Sequence, residues 1–222
     1  MLVGVGKAWR RTAHAAVLVG VLAGCSGAEE KDAESSASPS VSASEKVESG
    51  GTVGAPDSAC LLPVGFDLAA EWKADAIDGS AADGSGKAGV DEDMASLLRQ
   101  GPVTLVCEVD AKPAGHLGFL RVYTGEAGEK DGDARAVLEA FVAAQDGAEK
   151  AKYSTFEGDG VSGAEVEYLA TSELLDEAKQ ESAFAVVTPD GPVVVHLGGA
   201  DTEEHQDMLP AFELAKKTLH TV

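Results

Sequence analysis

Residues 182–199 read SAFAVVTPDGPVVVHLGG, two apolar runs held apart by Pro189-Asp190-Gly191-Pro192. Residues 183–188 and 193–197 are rich in valine. The junction between them supplies the residues that reverse a chain, so the stretch predicts a β-hairpin. Working upstream, residues 151–157 and 164–170 form two further strand candidates around Gly158-Asp159-Gly160. Val103, Leu105, Cys107 and Val109 alternate with Thr104, Val106 and Glu108, which predicts a strand that aims Cys107 at the core. Residues 117–124 (LGFLRVYT) follow a Lys112-Pro113-Ala114-Gly115 turn and should pair with it. Shorter strands are expected at 61–68 and 72–77, around a Glu71-Trp72 turn.

Helical periodicity appears in three places. Residues 133–145 carry Val137, Leu138, Phe141 and Val142 as one apolar stripe. Met94, Leu97 and Leu98 place a short helix at 91–100. A last helix starts near Asp201, where the Asp201…Glu204 spacing suits a cap, and it turns Phe212, Ala215 and Leu219 inward. Pro210 should kink or restart it. Residues 78–89 (DGSAADGSGKAG) read as a loop. Residues 172–181 are open between a loop and a helical turn. Hairpin-joined strands with inserted and appended helices predict an α+β fold, a mainly antiparallel sheet with helices on one face.

The N-terminus has a different composition. Residues 1–24 carry Lys7, Arg10 and Arg11 and no acid, and an apolar run from Ala13 to Gly24 leads into Cys25. A basic start, a short apolar stretch and small residues before a cut describe an export signal. The run falls short of the ~20 residues that a permanent spanning helix needs. Leu22-Ala23-Gly24-Cys25 resembles the bacterial lipobox. That resemblance implies cleavage before Cys25 and acylation of its sulfur, with palmitate-type chains holding the protein on the outer face of the cell membrane. Residues 26–58 are rich in Ser, Ala, Glu and Gly and hold no aromatic residue, so with Cys25 they are expected to form a disordered tether. Its root-mean-square reach would be about 30 Å.

The remaining domain, residues 59–222, holds every aromatic residue except Trp9. With Cys25 used by lipid, Cys60 and Cys107 are the two cysteines left in an oxidising compartment. They are expected to bridge, two separate buried thiols being the alternative. Strand pairs, a mid-chain helix, the 182–199 hairpin and the terminal MLPAFELAKKTL segment together resemble the Mog1/PsbP-like α+β sandwich. That sandwich occurs in small exported lipoproteins of high-GC Gram-positive bacteria. Cys60-Leu61-Leu62 and Cys107-Glu108-Val109 also resemble a second group of exported actinobacterial lipoproteins. Both resemblances imply binding rather than catalysis.

Composition and motifs narrow the chemistry. A net charge of −21, with 17 Lys+Arg against 38 Asp+Glu, excludes a nucleic-acid partner, which needs clustered bases to displace counterions. Gly160-Val161-Ser162-Gly163 lacks the spacing of a nucleophile elbow, and Gly84-Ser85-Gly86-Lys87 lacks that of a P-loop. His196, Glu203, Glu204 and His205 could offer two imidazoles and carboxylates to a metal if the end of the last strand met the start of the last helix. The competing reading is a locally bonded strand histidine beside acids that favour a helix N-terminus. No cofactor is implied. The sequence therefore favours a membrane-anchored, non-catalytic module that binds a small ligand or an exported protein. A metal-handling lipoprotein is the first alternative and an exported hydrolase the second.

Overall fold

The 182–199 hairpin is the centre of the molecule, and its strands are longer than their apolar runs. The computed structural model describes residues 47–77, 97–126, 132–158, 160–172 and 177–222. Along the chain these give β1 (Ser49–Val53), β2 (Val64–Ala69), β3 (Lys73–Ala76), β4 (Arg99–Gln100), β5 (Val103–Asp110), β6 (Gly118–Thr124) and α1 (Ala134–Ala143). There follow β7 (Ala148–Glu157), β8 (Ser162–Ser172), β9 (Glu177–Thr188), β10 (Gly191–Gly199), α2 (Thr202–Lys217) and β11 (His220–Thr221). One sheet runs β3-β5-β6-β10-β9-β8-β7 with β4 paired to β5; a three-stranded sheet runs β1-β2-β11. Every strand pair is antiparallel. The α+β class read from the sequence is the fold.

The hairpin turns where its residues demand, with Thr188 Oγ donating to the Gly191 carbonyl at 2.9 Å. Its strands are apolar almost throughout because both faces are covered. Val193, Val195, Leu197, Phe184 and Val186 meet α2 and the small sheet; Val194, Ala183 and Ala185 meet α1. The helices therefore lie on opposite faces, not on one as the strand-and-helix order suggested. Asp133 caps α1 and Asp201 caps α2, the latter accepting from Glu204 N at 2.9 Å as its spacing predicts. α2 continues through Pro210 as a single helix.

Four local readings change. The span 172–181 is neither loop nor helical turn where described: β8 extends to Ser172 and β9 begins at Glu177, paired residue for residue. Arg99 and Gln100, expected as the end of a helix, pair with β5 instead. Leu97 and Leu98 just before them are helical, while residues 91–96 of that helix and the 78–89 loop lie outside the described residues. Val103, Leu105, Cys107 and Val109 do not share one face. A bulge between Leu105 and Cys107 inserts an extra residue, so Val103 and Leu105 join the α1 core while Cys107 and Val109 join the α2 core. Finally, β1 lies within the span 25–58 expected to be a tether. It pairs with β2 and buries Val53 to 1% exposure, so the fold begins by Val47 rather than Ala59. Backbone bonds and close approach replace missing side chains there. Gly54, at φ 98°, leaves no room for a Cβ, which would lie 2.1 Å from the Val64 carbonyl oxygen.

Cys60 and Cys107 form a disulfide, with Cα atoms 5.9 Å apart and both residues buried. It fastens the segment between β1 and β2 to β5, and so the small sheet to the large one. The cross-link spans 47 residues of sequence. In the chain-entropy account such a loop stabilises by about 4 kcal/mol. Denaturant titration of the protein with and without reductant should show a loss of that order, and the oxidised protein should yield no alkylatable thiol from this pair.

Candidate functional site

The extended pairing of β8, β9 and β10 places three polar side chains side by side on the α1 face. Tyr168 pairs with Glu181 across β8 and β9, and Glu181 lies opposite Gly198, two residues from His196. Glu181 is only 3% exposed and His196 6%. Glu181 Oε2 accepts from Gln145 Nε2 at 2.7 Å and lies 3.1 Å from His196 Nε2. Tyr168 Oη is 2.6 Å from Gln145 Oε1, 3.0 Å from Glu181 Oε2 and 3.2 Å from His196 Nε2. Lys179 Nζ sits 3.1 Å from Glu181 Oε1 and donates to the Gly199 carbonyl at 2.8 Å. Gln145, just beyond α1, thereby ties that helix to three strands.

These contacts set the protonation of the cluster. Burial alone would push the Glu181 carboxyl up. The bond and charge from His196, the Gln145 amide and the Lys179 ammonium reverse this and hold it well below the usual carboxylate range. Burial and the neighbouring Glu181 carboxylate keep the Tyr168 phenol protonated far above its ordinary value. Tyr123, buried on the same face, is pushed up to about 12. Two buried side-chain nitrogens among the described residues make no hydrogen bond: His196 Nδ1 in this cluster and His205 Nδ1 on the opposite face of the sheet. The His196 ring packs against Phe141 of α1, centroids 5.7 Å apart.

His196 and Glu181 form part of the wall of a pocket of about 420 Å³. Phe119, Arg121, Lys112 and Lys179 line it as well, with Gly198, Gly199 and Ala200 as small wall residues. Lys112 Nζ and the Arg121 guanidinium each lie over the Phe119 ring, at 4.8 and 5.0 Å. Arg121 Nε also bonds Glu108 at 2.8 Å. Three cations thus border one cavity in a chain with far more acids than bases.

The metal set considered from the sequence does not assemble. His196 stands on the α1 face. His205 belongs to α2 on the opposite face, 2% exposed, its Nε2 3.1 Å from Ser182 Oγ. Glu203 is exposed, and Glu204 accepts from Leu117 N at 3.0 Å, with His116 3.6 Å away. Among the described residues no group of three or more His, Cys, Asp or Glu is placed to hold a metal ion. The same separation deprives the hydrolase alternative of its paired histidines. Trp72 is buried in the α2 core rather than offered to a ligand. Cys25 lies outside the described residues.

The family model Lipoprotein_23, described as uncharacterised lipoprotein, matches residues 29–219. The chain belongs to that family. This lipoprotein is also similar to the solution structure of cyanobacterial PsbP (CyanoP) from Synechocystis sp. PCC 6803. The identity is 14% and the TM-score 0.46, over 72% of this chain and 87% of that one. No curated protein matches it in sequence.

Of the polar groups of the pocket and of the buried cluster behind it, the sequence singled out only His196. Glu181 and Lys179 escape a reading that leaves 172–181 open between loop and helical turn, and without Glu181 nothing in the sequence draws Tyr168, Gln145 and Arg121 to one place. Extending the 182–199 hairpin backwards in register sets Glu181 opposite Gly198, and a carboxylate between apolar strands is a detectable anomaly.

His205 provides a check on this geometry. Burial and nearby positive charge lower its pKa to about 4, below the ordinary 6.5. Between those values the unfolded chain binds the proton that the folded chain refuses, so stability falls as pH drops from 6.5 to 4. The loss should be on the order of 2–3 kcal/mol. Below the usual carboxylate range Glu181 adds a further loss in the same direction. Urea titrations at stepped pH should show the first slope in the native protein and a flattened one in His205→Gln.

Proposed function

We propose that this lipoprotein is anchored through acylated Cys25 on the outer face of the cell membrane. There its folded domain serves as a non-catalytic binding module with the α1-face pocket as its ligand site. The observation that carries this reading is the combination in one cavity of three cations, an aromatic ring and a buried imidazole nitrogen without a partner. Concave sites with a few convergent polar groups are where small ligands bind. The pocket's lining contains no hydroxyl or thiol nucleophile, and that favours holding a ligand over turning one over. Family membership supports the anchor, and Leu22-Ala23-Gly24 ahead of Cys25 supplies its chemistry.

Two measurements test the two halves. Cys25→Ser should move the protein from the membrane fraction to the soluble fraction and remove the acyl mass from the N-terminal peptide; an unchanged distribution refutes the anchor. Native mass spectrometry of the gently purified full chain should show a small-molecule adduct that Gly198→Val loses. A Cβ at position 198 would stand 3.3 Å from His196 Cε1, inside the cavity. Identical, adduct-free spectra for both proteins would refute the binding site.

A further inference from the structure

The charges and the unfilled wall of the pocket specify more than a generic ligand. We infer that the cavity takes a small hydroxycarboxylate, its carboxylate among Arg121, Lys112 and Lys179 and its hydroxyl over Gly198 against His196. This rests on the binding reading given above and names its ligand class.

Three observations carry it. The first is charge. Lys112, Arg121 and Lys179 all line the cavity, whereas Glu181 is its one acidic wall residue and is already matched by Lys179 at 3.1 Å. Arg121 holds Glu108 through Nε, which leaves the terminal guanidinium nitrogens for a planar carboxylate. A free metal ion or an organic cation would meet net repulsion there. The second is the unmade bond. His196 Nε2 is committed to Glu181 and Tyr168, while Nδ1 is buried without a partner, a condition a folded protein leaves unmet at a cost. The third is space beside that atom. Gly198 sets no side chain against that ring, where a Cβ would crowd His196 Cε1 at 3.3 Å and stand 3.9 Å from Nδ1, so the glycine leaves this stretch of wall open to a ligand passing over its Cα.

A hydroxyl suits His196 Nδ1 because it both donates and accepts, and so can serve an imidazole nitrogen with or without its proton. An ammonium group only donates, and it would add a positive charge beside three others. The cavity of about 420 Å³ has room to spare for such an acid, whose short apolar stem would lie along Phe119 and Ala200.

The test uses two matched series on the purified full chain, followed by calorimetry and ligand-observed NMR. One series is lactate, propionate and alanine; the other is malate, succinate and aspartate. Within at least one series the hydroxy acid should bind saturably and at least tenfold more tightly than its deoxy partner and its amino partner. Arg121→Gln should weaken that binding tenfold or more. Gly198→Val should abolish it, and excess sulfate should compete only weakly. Equal binding of the deoxy partners, or stronger binding of the amino acids, overturns the hydroxyl assignment. Binding matched by sulfate and indifferent to Gly198→Val means adventitious anion binding only, and also overturns it. If neither series binds while the native adduct is present and lost in Gly198→Val, the ligand class is wrong and the binding module stands. If the adduct is absent too, both fall.

Discussion

A carboxylate at 3% exposure in the middle of a sheet has no water to turn to, and every bond it needs must come from the protein. Glu181 draws those bonds from Tyr168 on β8, His196 on β10, Gln145 beyond α1 and Lys179 on its own strand. Removing any donor leaves part of a charge unmet, which costs more than an ordinary hydrogen bond returns. The cluster therefore fixes the register of three strands and the position of α1 together. It also explains why the ring of His196 presents one nitrogen to Glu181 and leaves the other unbonded.

The sheet around this cluster works because its two faces are kept chemically separate. The α2 face is apolar apart from the buried His205–Ser182 pair, closed by Phe66, Phe184 and Phe212 and stapled by Cys60–Cys107. The α1 face grades from an apolar core around Leu138 and Phe141 into the polar cluster and the pocket. The bulge between Leu105 and Cys107 lets one strand serve both. Without the extra residue, Cys107 would point towards α1 and away from Cys60.

Much of the fold was legible because apolar period and turn chemistry are local signals. The 182–199 hairpin, the α1 stripe of Val137, Leu138, Phe141 and Val142, and the Asp201 cap all follow from neighbours in sequence. What escaped reading depends on partners far away. Residues 177–182 (EAKQES) have no apolar alternation, and they are a strand only because β8 and α2 supply bonds to them, as Thr202 Oγ does to Gln180 N at 3.1 Å. β1 has almost no side chains to bury and is held by its pairing with β2. The metal set failed for the opposite reason: His196 and His205 are near in sequence, yet a sheet runs between the faces they occupy.

The outer strand β7 has the last word on how this molecule tolerates its neighbours. It is a ten-residue border with Glu149, Lys150, Lys152, Ser154 and Glu157 turned to solvent, broken by a bulge where Lys150 takes a left-handed φ of 55°. A straight, greasy border would invite a second molecule to add a strand and begin a fibre. This one presents charges of both signs on a kinked rim, so many copies can crowd together without zipping into one another.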